Sequence, residues 1–150
     1  MVEGISVRRV SGKDLGRIKE IADARLRENY SPDLFRYFFE QHSRCFFVAC
    51  DDSSVAGFLL AVPLDQATLR ILMLAVDDEL AGKGVGSALM DKCMEFAKGR
   101  MMSSIVLEVG TDNKEAIDFY SNRGFKMTGI LTGYYRDRTD AYVMKHYLPM

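Results

Sequence analysis

Apolar residues along this chain change rhythm repeatedly, and each change marks an element. Ile5, Val7 and Val10 set a strand over residues 5–10. Leu15, Ile18, Ile21, Ala22 and Leu26 then recur at helical spacing behind Ser11 and Asp14, residue types that cap helices. Tyr30-Ser31-Pro32 ends that helix, and Pro32 or Asp33 starts a second one through about Gln41.

Three apolar runs follow at residues 45–50, 55–62 and 68–76, joined by the short polar connections 51–54 and 64–66, which predicts an antiparallel meander. A helix over 84–98 leads to a strand at 104–109. Strand, helix, strand in that order requires a crossover and a parallel pair. Residues 113–122 predict another helix with Gly124 as its left-handed cap, and 126–134 with 141–147 predict a hairpin around the charged turn 136–140. The whole is an α/β pattern with a mixed sheet.

Length and composition keep this picture to one domain. The chain has 150 residues, 48% of them apolar, enough for a sizeable core, and no internal repeat or low-complexity linker interrupts it. A formal net charge of −1 supplies no bulk field for nucleic acid or an anionic membrane, and no apolar run is of signal or membrane-spanning type. A cytoplasmic protein is the expectation. Cys45, Cys50 and Cys93 lack C-x-x-C spacing and read as reduced core or subsurface residues; His42 and His146 lack the companions of a metal site or a nucleophile triad.

The chemistry starts at Gly82-Lys83-Gly84-Val85-Gly86, which follows an apolar strand and opens an amphipathic helix. Glycines there let a ligand approach the backbone, and the first helical N–H groups, lacking intrahelical partners, attract an anion. The spacing is neither G-x-x-x-x-G-K-[ST] nor G-x-G-x-x-G, so two common nucleotide cradles are excluded.

The order of elements, this turn, Leu107-Glu108-Val109, and the run from Asn113 through Tyr120 to Gly124-Phe125 together resemble the GNAT superfamily of acetyl-CoA-dependent N-acetyltransferases. The family signature Q/R-x-x-G-x-G/A falls on residues 81–86, and only Ala81 departs from it. The resemblance implies a single GNAT-like domain over residues 1–150, with about seven strands in a mostly antiparallel mixed sheet, a splayed parallel central pair and about four helices. It implies acetyl-CoA as cosubstrate and no metal. Gly82, Lys83, Gly84, Val85, Gly86 and Ser87 would hold the pyrophosphate, Leu74 and Val76 would pair with the pantetheine arm as an added strand, and Asn113 would reach the same arm.

Two further segments, Leu26-Arg27-Glu28-Asn29-Tyr30 and Gly133-Tyr134-Tyr135 with Asp140-Ala141-Tyr142-Val143-Met144, resemble the protein N-terminal acetyltransferases of the NatA catalytic subunit and RimI type. That narrower resemblance implies protein or peptide N-termini as acceptors, with Leu26, Glu28, Tyr30, Tyr134 and Tyr135 contacting them, and leaves room for a ribosome or an auxiliary subunit as partner. Arg27 and Gly110 depart from its pattern.

Acetyl transfer needs a neutral amine, a polarised carbonyl and a proton for the departing thiolate. Tyr120 shares a helix face with Asn113 and Ala116; the resemblance makes it the acid, whereas spacing alone equally allows a core aromatic. Glu108, inside an apolar strand, needs a partner or a purpose: a base for the amine, or an ion pair with an arginine such as Arg70. Glu28 is a rival base or a solvated loop carboxylate. A lysine side chain or a polyamine as acceptor, and an acyl-CoA sensor without turnover, are the competing functions.

Overall fold

The computed structural model describes residues 4–52, 54–80 and 82–149. Ala81, the departure from the family signature, lies outside them. The strands are β1 (Ser6–Arg9), β2 (Phe46–Cys50), β3 (Val55–Pro63), β4 (Thr68–Val76), β5 (Ser104–Gly110), β6 (Lys126–Leu131) and β7 (Ala141–Tyr147). The helices are α1 (Leu15–Arg25), α2 (Pro32–Gln41), α3 (Val85–Gly99) and α4 (Lys114–Asn122), with 3-10 turns at Gly12–Asp14, Ser43–Cys45 and Asp78–Leu80. One seven-stranded mixed sheet runs in the order β1-β2-β3-β4-β5-β7-β6, so the last strand is inserted beside β5 and β6 becomes an edge.

Most predicted elements are present to within a residue or two. Two differ. Helix α1 stops at Arg25, where Leu26 turns extended, so residues 26–31 form a loop ahead of Pro32. Strand β6 stops at Leu131 instead of running to Tyr134, because Gly133 adopts φ +63° and donates its N–H to Asp140 Oδ1 at 2.8 Å, which folds the chain into the hairpin loop.

Contacts group the chain into two compact units. The first comprises residues 4–62 with Met73–Phe96. Its strands β2 and β3 are buried almost throughout, as expected of strands covered on both faces. Neighbouring residues show how: Phe58 packs edge-on against Phe35 of α2 at 6.3 Å, whereas a Cβ on adjacent Gly57 would lie 3.3 Å from Val85 Cγ1 of α3. That Cβ would also lie 2.9 Å from the Ala75 carbonyl oxygen, so glycine is what lets the end of β4 approach β3. Cys45 and Cys93 are buried in this unit as free thiols, and Cys45 as hydrogen-bond partner, together with burial, pushes the Cys93 thiol up.

The Ser11 and Asp14 signal has a larger job than capping. Asp14, 4% exposed, accepts the Ser11 N–H at 2.8 Å and a fork from Arg8 of β1 at 2.8 and 2.9 Å. The Arg8 hydrogen bonds hold its carboxyl below the usual range.

The second unit comprises Pro63–Leu72 with residues 97–149. Here the start of β4 pairs in parallel with β5 over Thr68–Ser104, Leu69–Ile105 and Arg70–Val106, and β7 pairs antiparallel with β5 along its whole length. The parallel pairing ends there, while β4 runs on to Val76. Ile105, Leu107 and Val109 point to one face, where Tyr120 of α4, Phe125 and His146 form a chain of rings at 5.6 and 5.4 Å. Arg70, Val106 and Glu108 point to the other.

Candidate active site

In the first unit the site is made of backbone. Gly82 and Gly84 adopt φ +79° and +83°, a region that side chains rarely enter, and the turn they make delivers the chain into α3 at Val85. The first bond of the helical ladder runs from the Ala88 N–H to the Gly84 carbonyl at 3.0 Å, ahead of which stand the N–H groups of Val85, Gly86 and Ser87. Three amides and the positive end of a 15-residue helix fit a phosphate or pyrophosphate. A Cβ on Gly82 would meet no atom within 4 Å, so its need for glycine is conformational.

Helix α1 anchors the approach to this turn. Arg17 donates to the Val55 carbonyl oxygen at 3.2 Å and to the Asp77 carboxylate; Asp77 in turn takes the Glu79 N–H at 3.1 Å, and Arg25 pairs with Asp78 at 3.1 Å. The arginine contacts span 38 to 60 positions, and no local pattern in the sequence announces them. Leu74 and Val76 are half-buried near the end of β4, beyond the last residue of that strand paired with β5.

In the second unit the site is made of side chains. Arg70 of β4 donates through Nε at 2.9 Å, and also through Nη2, to Glu108 Oε1; the Tyr134 hydroxyl accepts from Arg70 Nη2 at 3.0 Å and donates to the same Oε1 at 3.3 Å. Register explains the first contact, since Arg70 sits opposite Val106, two residues from Glu108 on the same face. Burial and the neighbouring Glu108 charge raise the Tyr134 pKa, which keeps the hydroxyl protonated and able to donate. Among the described residues Glu108 Oε2 takes no part in the cluster. The ion pair expected as one alternative is therefore present, and it leaves one carboxylate oxygen uncommitted.

Tyr135 stands against Tyr134 edge-on at 5.0 Å, and the hairpin loop carrying both is braced by the Tyr135 N–H to Thr139 and the Arg138 N–H to Tyr135. Asn113 is the N-cap of α4, its Oδ1 accepting the Ala116 N–H at 3.2 Å. Tyr120, 9% exposed, lies in the last turn of the same helix against Phe119 and Phe125. Leu26, Glu28 and Tyr30 occupy the loop after α1 in the first unit, half-buried, with Tyr30 edge-on to Phe35 at 6.2 Å. Glu28 and Glu108 thus belong to different units, while Glu108, Tyr134, Tyr135, Asn113 and Tyr120 belong to one. Among the described residues no group of histidine, cysteine and carboxylate side chains could hold a metal ion, and no helix is long and apolar enough to cross a membrane.

Residues 15–125 match the family model described as Acetyltransferase (GNAT) family. An uncharacterised N-acetyltransferase of Methanocaldococcus jannaschii is 34% identical over 92% of this chain and 88% of its own. N-alpha-acetyltransferase 30 of Schizosaccharomyces pombe is 36% identical over 78% of this chain and 81% of its own. The crystal structure of Ard1 from Thermoplasma volcanium superposes with a TM-score of 0.95 at 36% identity, covering 98% of this chain and 99% of that one.

Proposed function

Because the chain belongs to the GNAT family and is an acetyl-CoA-dependent N-acetyltransferase, we propose that its acceptor is the free α-amino group of a protein N-terminus. The observation that carries the reading is the Glu108 carboxylate: Arg70 and Tyr134 hold one oxygen, and Oε2 remains to take a proton. Likeness to proteins named N-alpha-acetyltransferase supports it.

The proton demand fits the acceptor. An α-amine loses its proton at about 7.7–8.0 and a lysine at about 10.4, so a weak carboxylate base, direct or through one water, suffices for the first. The backbone amides of residues 82–87 hold the pyrophosphate of the donor, and Leu74, Val76 and the Asn113 amide bind its arm. The neutral amine attacks the thioester carbonyl carbon, its proton passes to Glu108 Oε2, the C–S bond breaks and the Tyr120 hydroxyl protonates the departing thiolate. Tyr134 and Tyr135 flank the first residue of the acceptor.

Thiol release from acetyl-CoA, measured with peptides bearing free N-termini beside N-blocked lysine peptides and polyamines, tests the reading. Turnover confined to free N-termini is expected. Turnover on blocked lysine peptides or polyamines overturns it in favour of a side-chain or small-amine acetyltransferase. Tight acetyl-CoA binding with no turnover points to a sensor or to a required auxiliary subunit.

A further inference from the structure

The face of the second unit that carries Glu108 continues into a row of cations. Register pairs Arg70 with Val106, Val106 with Lys145, and Lys145 with Lys126, so these four residues stand side by side across β4, β5, β7 and β6. The next row holds Glu108, Val143 and Gly129. The ring chain of Tyr120, Phe125 and His146 occupies the opposite face.

Like charges directly across a strand pair repel, yet Lys126 and Lys145 are such a pair. Arg70 spends its charge on Glu108. Among the described residues neither lysine is ion-paired, and Lys145 instead lies with Nζ 5.1 Å from the centre of the Tyr147 ring on the same face. Half-buried Val106 and Val143 make an apolar floor between Glu108 and the two lysines. The surface therefore begins at a proton acceptor, crosses valines, and ends in two unneutralised cations.

We propose that this face binds the acceptor chain beyond its first residues and selects an acidic side chain at its third to fifth position. The proposal rests on the reading above, that an N-terminal amine sits at Glu108. Strand spacing and rise put Lys145 and Lys126 about 8 and 12 Å from Glu108, and an extended chain advances about 3.3 Å per residue, which brings residues 3 to 5 over the lysines. An acidic peptide segment is the occupant that neutralises the pair.

The test uses free-N-terminal peptides with identical first two residues and Glu, Gln or Lys placed at positions 3, 4 and 5. Wild-type kcat/KM is expected to be about 3–10-fold higher for Glu than for Gln at one of these positions, carried by KM and fading as salt rises. Lys126→Gln with Lys145→Gln should remove the preference while leaving turnover of the Gln peptide unchanged. Lys126→Glu with Lys145→Glu should transfer the preference to the Lys peptide. Lys98→Gln, an exposed lysine on α3, should keep it.

Turnover that ignores residues 3–5 overturns this selectivity and leaves N-terminal acetylation standing. A preference that survives both lysine double variants overturns it too, as does binding of an RNA oligonucleotide or an anionic vesicle to the lysines with no peptide preference. Absence of turnover on every free N-terminus, with acetylation of a blocked lysine peptide, overturns the underlying reading and the selectivity with it.

Discussion

The two units offer ligands opposite kinds of surface. The first presents backbone: a glycine turn, three amides ahead of the Ala88 bond, and the end of β4. The second presents side chains: Arg70, Glu108 and Tyr134 joined by hydrogen bonds on one face of the sheet, and Tyr120 of α4 on the other. Backbone binding is indifferent to most side chains and fits a constant ligand such as the donor. Side-chain chemistry is suited to handling a proton and to telling one acceptor from another.

The sharpest way to break that division is to remove single polar atoms from the second surface. Tyr120→Phe and Glu108→Gln should each lower kcat by about 10²–10³-fold with acetyl-CoA affinity nearly unchanged. Glu108→Gln should regain part of its rate as pH rises towards 8, where the α-amine sheds its own proton. Arg70→Gln separates base from structural pair: loss of rate without the altered pH profile marks Arg70 as a positioning residue. Rates equal to wild type in Tyr120→Phe remove that hydroxyl as the acid.

The reciprocal change strikes the backbone surface. Gly84→Val forces a β-branched residue into φ +83° and should weaken acetyl-CoA about tenfold or more by calorimetry, leaving the pH profile of the remaining activity as it was. Gly57→Ala acts one step back, pressing a methyl group against the Ala75 carbonyl and displacing the strand end that carries Leu74 and Val76. If either variant altered the acceptor preference instead of donor affinity, the division of labour would fail.

This contrast also explains what the sequence discloses. The glycine turn is legible because a local backbone requirement leaves a local spacing, and seven strands with four helices follow from local rhythm. The Arg70–Glu108 contact was one of two alternatives, since a charge inside an apolar strand demands a partner without naming it. The Tyr134 bond to both depends on where β6 stops, and apolar rhythm ran past that point. Arg17 on Asp77 and Lys126 opposite Lys145 follow from tertiary register alone.

Acid should separate the units by a different route. Asp14 is ionised and forked by Arg8 in the fold, with its pKa below the unfolded value of about 3.9. The folded state binds that proton less tightly, so the stability it contributes is complete above that value and is lost as pH falls through the lowered folded pKa. Asp14→Asn should cost about 1.5–3 kcal/mol at neutral pH and flatten the acid side of the unfolding curve. The glycine turn shares a unit with Asp14, so acid lability removed by Asp14→Asn should be read out in acetyl-CoA binding as well.

The smallest expected effect supplies the control for all of these. Met101 is 86% exposed at φ +60°, just past the end of α3 in the second unit, where a side chain pays for a left-handed backbone. Met101→Gly should stabilise the protein by about 0.5–1 kcal/mol in denaturant unfolding with kcat and both KM values unchanged. A backbone change outside the glycine turn that left kinetics untouched would show that Gly84→Val acts on the ligand through local conformation. A Met101→Gly variant with altered donor affinity would mean that backbone strain anywhere in the fold reaches the turn, and the kinetic contrast between the two surfaces could no longer be assigned to their chemistry.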